Sequence, residues 1–233
     1  MTELIPRRVL AVRERLTHAA HAASRNPEDI TLLAVSKTYD HTEVRAAALA
    51  GQRDFGENYL QEALDKQKAL ANLDLVWHFI GPIQSNKTRG IAENFAWAHS
   101  VDRLKVAERL SAQRPDGLPP LNVCLEVNIS GEASKGGVTP DALQQLAERV
   151  ADLPRLCLRG LMAIPAPTPD PLQQRLAFKQ VRGLFDTLNA RGLSLDTLSM
   201  GMSGDFEAAI AEGSTLVRIG TALFGARHYP VAA

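Results

Sequence analysis

A lysine stands where an apolar run ends. In ITLLAVSKTYD, residues 30–40, a run of seven mostly apolar residues ends in Ser36 and is followed by Lys37. Lysine is among the residues least often buried. At a strand tip beside a partly apolar pocket its pKa can fall, and its amine can then form a Schiff base with a carbonyl. Two later stretches suit an anion. SMGMSGDFEAAI has small residues, the hydroxyl of Ser203 and then a helix start, with Asp205 and Glu207 in its first turn; Ser203 suits an N-cap there. RIGTALFG repeats the pattern, with Gly220 and Thr221 after Arg218. Glycine lets a ligand approach the backbone, and N–H groups at a helix start bind anions.

These residues need elements to hold them. After an N-terminal helix over about residues 3–24, strand candidates fall at 30–36, 53–56, 75–81, 95–100, 121–128, 156–164, 195–200 and 215–220. They are short, rich in Val, Leu and Ile, and mostly without in/out alternation, as in strands buried on both sides. Helical patterns lie between them. Asp40 and Glu43 form a capping-box pattern, Thr139 and Pro140 read as N-cap and N1, and Leu143, Leu146, Ala147 and Val150 make one apolar stripe. Val181, Leu184, Phe185 and Leu188 repeat that spacing. Eight strands alternating with helices predict a single (β/α)₈ TIM barrel with an extra N-terminal helix, one domain over residues 1–233. A doubly wound open sheet is the alternative. The proline-rich stretches RPDGLPP and AIPAPTPDP read as loops.

Chemistry in such a barrel sits at the C-terminal ends of its strands. Those ends carry Lys37, then Glu57 and Asn58, His78, Asn128 with Lys135 in its loop, Met162, Ser199, and Arg218 with Gly220 and Thr221. Phosphate sites often follow strands seven and eight. Strands one and eight are neighbours in a closed barrel, which lets Lys37 and Arg218 face one ligand. An aldehyde, a phosphate and a ring nitrogen would use the lysine, the cradle and the arginine, and pyridoxal 5′-phosphate has all three. The plainer alternatives are well-capped helices and a snorkelling lysine. An aldolase-type Schiff-base enzyme acting on a sugar phosphate explains Lys37 and the cradle but gives Arg218 no task.

The bulk properties set bounds. The 233 residues carry 26 basic and 26 acidic side chains, with no long basic run, so nothing electrostatic points to nucleic acid or an anionic membrane. No apolar stretch is long enough to span a bilayer, and the N-terminus lacks the apolar core of a secretory signal, so a cytoplasmic protein is expected. Cys124 and Cys157 read as two small buried hydrophobes. His18 and His21 share a helix face without a third ligand nearby, so no metal site is expected. His78 fits either the pocket or the core. Glu57 and Glu126 show no paired separation for acid–base work. Trp77 and Trp97 read as packing residues.

LLAVSKT, FGENYLQE, WHFIGPIQSNK, GLMAIP, LSMGMSGD and GSTLVRIGTALFGAR together resemble the pyridoxal phosphate homeostasis protein family, over about residues 30–228. The fold resembles the N-terminal barrel of alanine racemase and of bacterial-type ornithine decarboxylase. The resemblance implies that Lys37 holds the cofactor covalently, that Ser203, Gly220 and Thr221 cradle its phosphate with Ser199 close by, and that Arg218 faces the pyridine nitrogen. It also implies that Asn58 and Met162 line the pocket. Lys135 falls where the racemase carries an arginine near the phenolic oxygen.

The racemase adds a C-terminal β-domain with a second base, which is not expected here. Tyr39, Tyr59 and Tyr229 have no evident base role. The expected function is a monomeric carrier that buffers or delivers pyridoxal phosphate, meets apo-enzymes transiently and keeps vitamin B6 and amino acid metabolism balanced. No catalytic residue is assigned. The alternative is a racemase or decarboxylase of low activity that depends on the cofactor.

Overall fold

In the computed structural model, which describes residues 2–132 and 135–226, strands and helices alternate along the chain. A 3₁₀ turn leads into α1 (Ile5–Ala22), followed by β1 (Thr31–Val35), α2 (His41–Leu49), β2 (Asp54–Glu57), α3 (Leu60–Ala69), β3 (Val76–Phe79) and α4 (Thr88–Asn94). Next come β4 (Trp97–Val101), α5 (Leu104–Gln113), β5 (Leu121–Glu126), α6 (Pro140–Ala151), β6 (Leu156–Met162) and α7 (Pro171–Ala190). The chain ends with β7 (Thr197–Ser199), α8 (Phe206–Ala211), β8 (Leu216–Ile219) and α9 (Thr221–Phe224). The strands close in sequence order from β1 to β8, and β8 pairs with β1 in parallel. This is the expected barrel, with strands slightly shorter than the apolar runs that foretold them.

The helix signals act as the sequence suggests. Asp40 Oδ1 accepts from the Thr42 and Glu43 N–H groups while Glu43 accepts from the Asp40 N–H, so the capping box is complete. Leu143, Leu146, Ala147 and Val150 of α6 are buried, and in α7 so are Val181, Phe185 and Leu188. The α1 stripe Ile5, Val9, Val12, Leu16 and Ala20 is buried in the same way, and Arg8 donates from that helix to the Phe224 carbonyl at 2.8 Å.

Two expectations are corrected. Cys157 is exposed, at the start of β6; only Cys124 is buried, and burial pushes that thiol up to about 12. The N-cap of α8 is Asp205, with Ser203 two residues earlier in the preceding turn. The Asp205 carboxylate accepts from the Met202 N–H at 2.6 Å and so folds back over that turn. His228 and Tyr229 lie outside the described residues.

Candidate cofactor site

The residue after Lys37 is held in an uncommon conformation. Thr38 has φ +70°, a region that a β-branched side chain rarely adopts. Its N–H donates to Glu62 Oε1 at 2.6 Å. Beneath this turn lies a buried ion network. Lys66 Nζ reaches the Ser36 carbonyl at 2.7 Å, Glu57 Oε1 at 2.7 Å and Glu62 Oε1 at 2.6 Å, and the Ser36 hydroxyl donates to Glu57 Oε1 at 2.6 Å. Burial raises the Glu57 pKa, opposed by Lys66 and Ser36. Backbone strain of this kind persists only where surrounding contacts over-determine it, and here they fix the segment that carries Lys37. Tyr39 anchors its far side, donating to the Gly225 carbonyl at 2.6 Å and stacking on Phe224 at 4.8 Å.

Lys37 lines a cavity of about 280 Å³ at the C-terminal mouth of the barrel. Asn58, Ser203, Arg218, Gly220 and Thr221 line it too, and Val35, Ile80 and Ile164 give it an apolar side. Six of the eight expected site residues therefore meet around one space. Met162 and Ser199 do not line it. Both are buried, and they are register partners on β6 and β7; Ile164, two residues beyond Met162, reaches the cavity instead. Ser199 lies behind Arg218 and accepts from its Nη1 at 2.8 Å. Lys135 is in the loop after β5, paired with Glu132 at 2.8 Å. Two larger cavities, of about 500 and 410 Å³, run along α1, away from the strand tips.

Glycines give the cavity its shape at two places. A Cβ on Gly81 would lie 2.4 Å from the Asn58 carbonyl oxygen, so Gly81 is what allows Asn58 its place at the cavity wall. Gly201 has φ +95° and turns the chain from β7 into the Met202–Ser203–Gly204 loop. The Gly201 carbonyl accepts from the Arg218 N–H at 2.9 Å, which ties that loop to β8.

Arg218 is the buried cation of the site. Burial lowers its pKa to about 10, while Asp205 and Glu126 act to raise it, so it remains charged at neutral pH. Its guanidinium donates to the Ser199 carbonyl and hydroxyl and, from Nη2, to the Ala163 carbonyl at 3.0 Å. A guanidinium has five N–H donors and no acceptor, so three are committed to the barrel wall and donor capacity remains for the cavity. Asn58 Oδ1 is buried with no hydrogen-bond partner among the described residues.

His78, left open between pocket and core by the sequence, belongs to the core. It stacks on Trp97 at 5.4 Å and contacts His99 at 3.0 Å. Trp77 packs on Phe55. Lys66 and His99 carry no functional signal in the sequence. Lys66 follows Glu57 by nine residues on an ordinary-looking helix, and His99 sits in the middle of a strand.

A closed eight-stranded parallel barrel thus gathers a lysine, an arginine, two hydroxyl residues and glycines around one cavity at its mouth. The sequence matches the family described as the alanine racemase N-terminal domain over residues 10–228. It is 64% identical to the pyridoxal phosphate homeostasis protein of Pseudomonas aeruginosa over 225 residues, covering 97% of this chain and 96% of that one. With the protein of the same name from Escherichia coli K12 it shares 55% identity, covering 94% of each. PipY of Synechococcus elongatus, solved with PLP bound, superposes with a TM-score of 0.83 at 37% identity, covering 95% of this chain and all of PipY. The chain belongs to the pyridoxal phosphate homeostasis protein family.

Proposed function

We propose that this chain, acting as one domain, binds pyridoxal 5′-phosphate reversibly through Lys37 and buffers or delivers it, without a turnover reaction of its own. The observation that carries this reading is the convergence of Lys37, Arg218, Ser203, Gly220 and Thr221 on one 280 Å³ cavity. PipY, similar over nearly the whole chain, was solved with PLP bound. The site fits the group: an amine, a buried donor-only cation, two hydroxyls beside glycines and an apolar wall all suit a phosphorylated aromatic aldehyde.

When bound, the cofactor supplies an aldehyde for reversible attachment to an amine and a ring that draws electron density from an attached carbon. Lys37 supplies the amine. Ser203 and Thr221 donate hydroxyls to the phosphate, and Gly204 and Gly220 leave its oxygens access to backbone. The first N–H groups of α9 have no acceptor within that helix and add donors. Val35, Ile80 and Ile164 exclude water from the ring. Arg218 does not give up its own proton and offers no acceptor to a ring N–H, so it would leave the ring nitrogen unprotonated. That weakens the ring as an electron sink, which supports carrying over catalysis. Lys37, as an amine, would be replaceable by another amine when the cofactor is to leave.

A monomeric state, transient contact with apo-enzymes and a cytoplasmic setting belong to the same reading. No helix among the described residues is long and apolar enough to cross a membrane. The test pairs chiral chromatography of amino acids incubated with the loaded protein with a transfer assay to an apo-enzyme. Activation of the apo-enzyme is expected, with racemisation, transamination and decarboxylation no faster than with free pyridoxal phosphate. Faster turnover that disappears in Lys37→Ala would replace the carrier reading with that of a slow racemase or decarboxylase.

A further inference from the structure

The interior of this barrel is not filled by aliphatic side chains alone. Asp54 Oδ1 contacts His78 Nε2 at 3.1 Å, His78 Nδ1 contacts His99 Nε2 at 3.0 Å, and His99 Nδ1 contacts Ser199 Oγ at 2.8 Å. Ser199 Oγ then accepts from Arg218 Nη1 at 2.8 Å. Strands β4 and β7 are not neighbours in the closed sheet, so the His99–Ser199 contact spans the lumen. The run starts at the lower mouth. Asp54, first residue of β2, has a side chain 28% exposed and shares a cavity of about 230 Å³ with Thr31, Trp97 and Thr215. It ends at Arg218, which lines the cavity at the opposite mouth.

We propose that Asp54, His78, His99 and Ser199 form a hydrogen-bond chain of one fixed direction that positions Arg218 and couples the lower mouth of the barrel to the cofactor cavity. The proposal deepens the function proposed above and rests on it.

The Asp54 end fixes the direction. A carboxylate only accepts, so His78 donates to Asp54 from Nε2. A neutral imidazole has one donor and one acceptor, so His78 Nδ1 accepts and His99 Nε2 donates to it. His99 Nδ1 then accepts, and the Ser199 hydroxyl donates to it. That turns the oxygen lone pairs of Ser199 toward Arg218, which can only donate. Arg218, which only donates, fits that order, and no donor faces a donor. Reversal would set a His78 lone pair against the Asp54 carboxylate. Burial lowers the pKa of both imidazoles; Asp54 opposes this at His78, while His78 and Arg218 reinforce it at His99. Trp97 stacks on His78, and Glu126 and Asp205 are the acids acting on Arg218.

A barrel interior is ordinarily packed with branched aliphatic layers, and a buried polar network is favourable only when every member is satisfied. Here the tautomer of His99 decides whether the Ser199 hydrogen has an acceptor while its oxygen accepts from Arg218. With the proton on His99 Nδ1, Ser199 would accept from both sides and its own hydrogen would need a new acceptor. Asp54, His78, His99 and Ser199 are thus positioning residues, acting on the cofactor only through Arg218.

The test uses the full chain labelled with ¹⁵N-histidine, first without cofactor and at neutral pH. Both rings are expected neutral with the proton on Nε2. A proton on Nδ1 of either ring, or an imidazolium, overturns the chain. Asp54→Ala and His99→Leu are then loaded with pyridoxal phosphate. A displaced visible band and an affinity about three- to tenfold weaker are expected, what one internal hydrogen bond contributes. His99→Gln, which keeps a donor and an acceptor, is expected to recover most of the loss and guards against a merely unfolded His99→Leu. Band and affinity unchanged in Asp54→Ala and His99→Leu overturn the coupling. A parent protein that takes up no cofactor overturns the proposed function and the coupling with it, whereas wrong tautomers in a protein that does load overturn the chain alone.

Discussion

Ser203 and Thr221 each bring one hydroxyl to the cavity at the barrel mouth. A hydrogen bond to a charged group contributes roughly 1.5–3 kcal/mol, so Ser203→Ala and Thr221→Val should each reduce the preference for pyridoxal phosphate over unphosphorylated pyridoxal about tenfold or more. Equilibrium titration with both compounds checks this, and unchanged discrimination would place the phosphate elsewhere. These residues stood out in the sequence because two hydroxyl-and-glycine loops follow strands seven and eight, although either loop alone reads equally as a helix cap. Ser199 and Met162 were harder. Each is the last residue of its strand, and sequence shows that place but not whether the side chain points into the cavity, the lumen or the helix layer. Cys157 was misjudged for a related reason: β6 begins at the barrel rim, where apolar neighbours in sequence do not bring burial.

Between β1, β2 and α3 the buried network of Lys66, Glu57, Ser36 and Glu62 holds the segment that carries Lys37. Removing one partner of a buried pair is costly because the other charge stays behind. Lys66→Met should therefore destabilise the fold by about 3–5 kcal/mol in urea denaturation; a loss below about 1 kcal/mol would contradict the role given to the pair. The pH dependence has a definite sign. The Glu57 pKa is raised in the fold, so its burial is best tolerated at and below the ordinary carboxylate range and stability is lost as pH rises through the raised value. Lys66 opposes that shift, so the deficit of Lys66→Met should be smaller near about pH 4.5 than at neutral pH. The order and type of the elements were readable because apolar runs and caps repeat at regular intervals. The start of α8 was not, since Asp205 and Ser203 are both good capping residues and only the folded turn shows the carboxylate bonded back to Met202. The Lys66 network was invisible for a comparable reason: a lysine on a polar-looking helix gives no sign that a strand-end glutamate awaits it.

Across the whole barrel, the polar interior ties stability to pH. His78 and His99 have pKa values lowered by burial, so the unfolded chain takes up protons that the folded one refuses. Their contribution is complete above the ordinary histidine value of about 6.5 and is lost as pH falls below it, with a slope of at most about 1.4 kcal/mol per pH unit for each ring. Chemical denaturation between about pH 7 and 5 should show that slope, and His99→Gln should remove one ring's share; equal slopes in parent and variant would contradict it. The central claim is that the lysine ending β1 is where the cofactor is held. It is tested most directly by loading the protein with pyridoxal phosphate, reducing it with borohydride and mapping the peptides. The expected result is a pyridoxyl group on Lys37 and none retained in Lys37→Ala; the same group on Lys135, or on any lysine other than Lys37, would contradict the account.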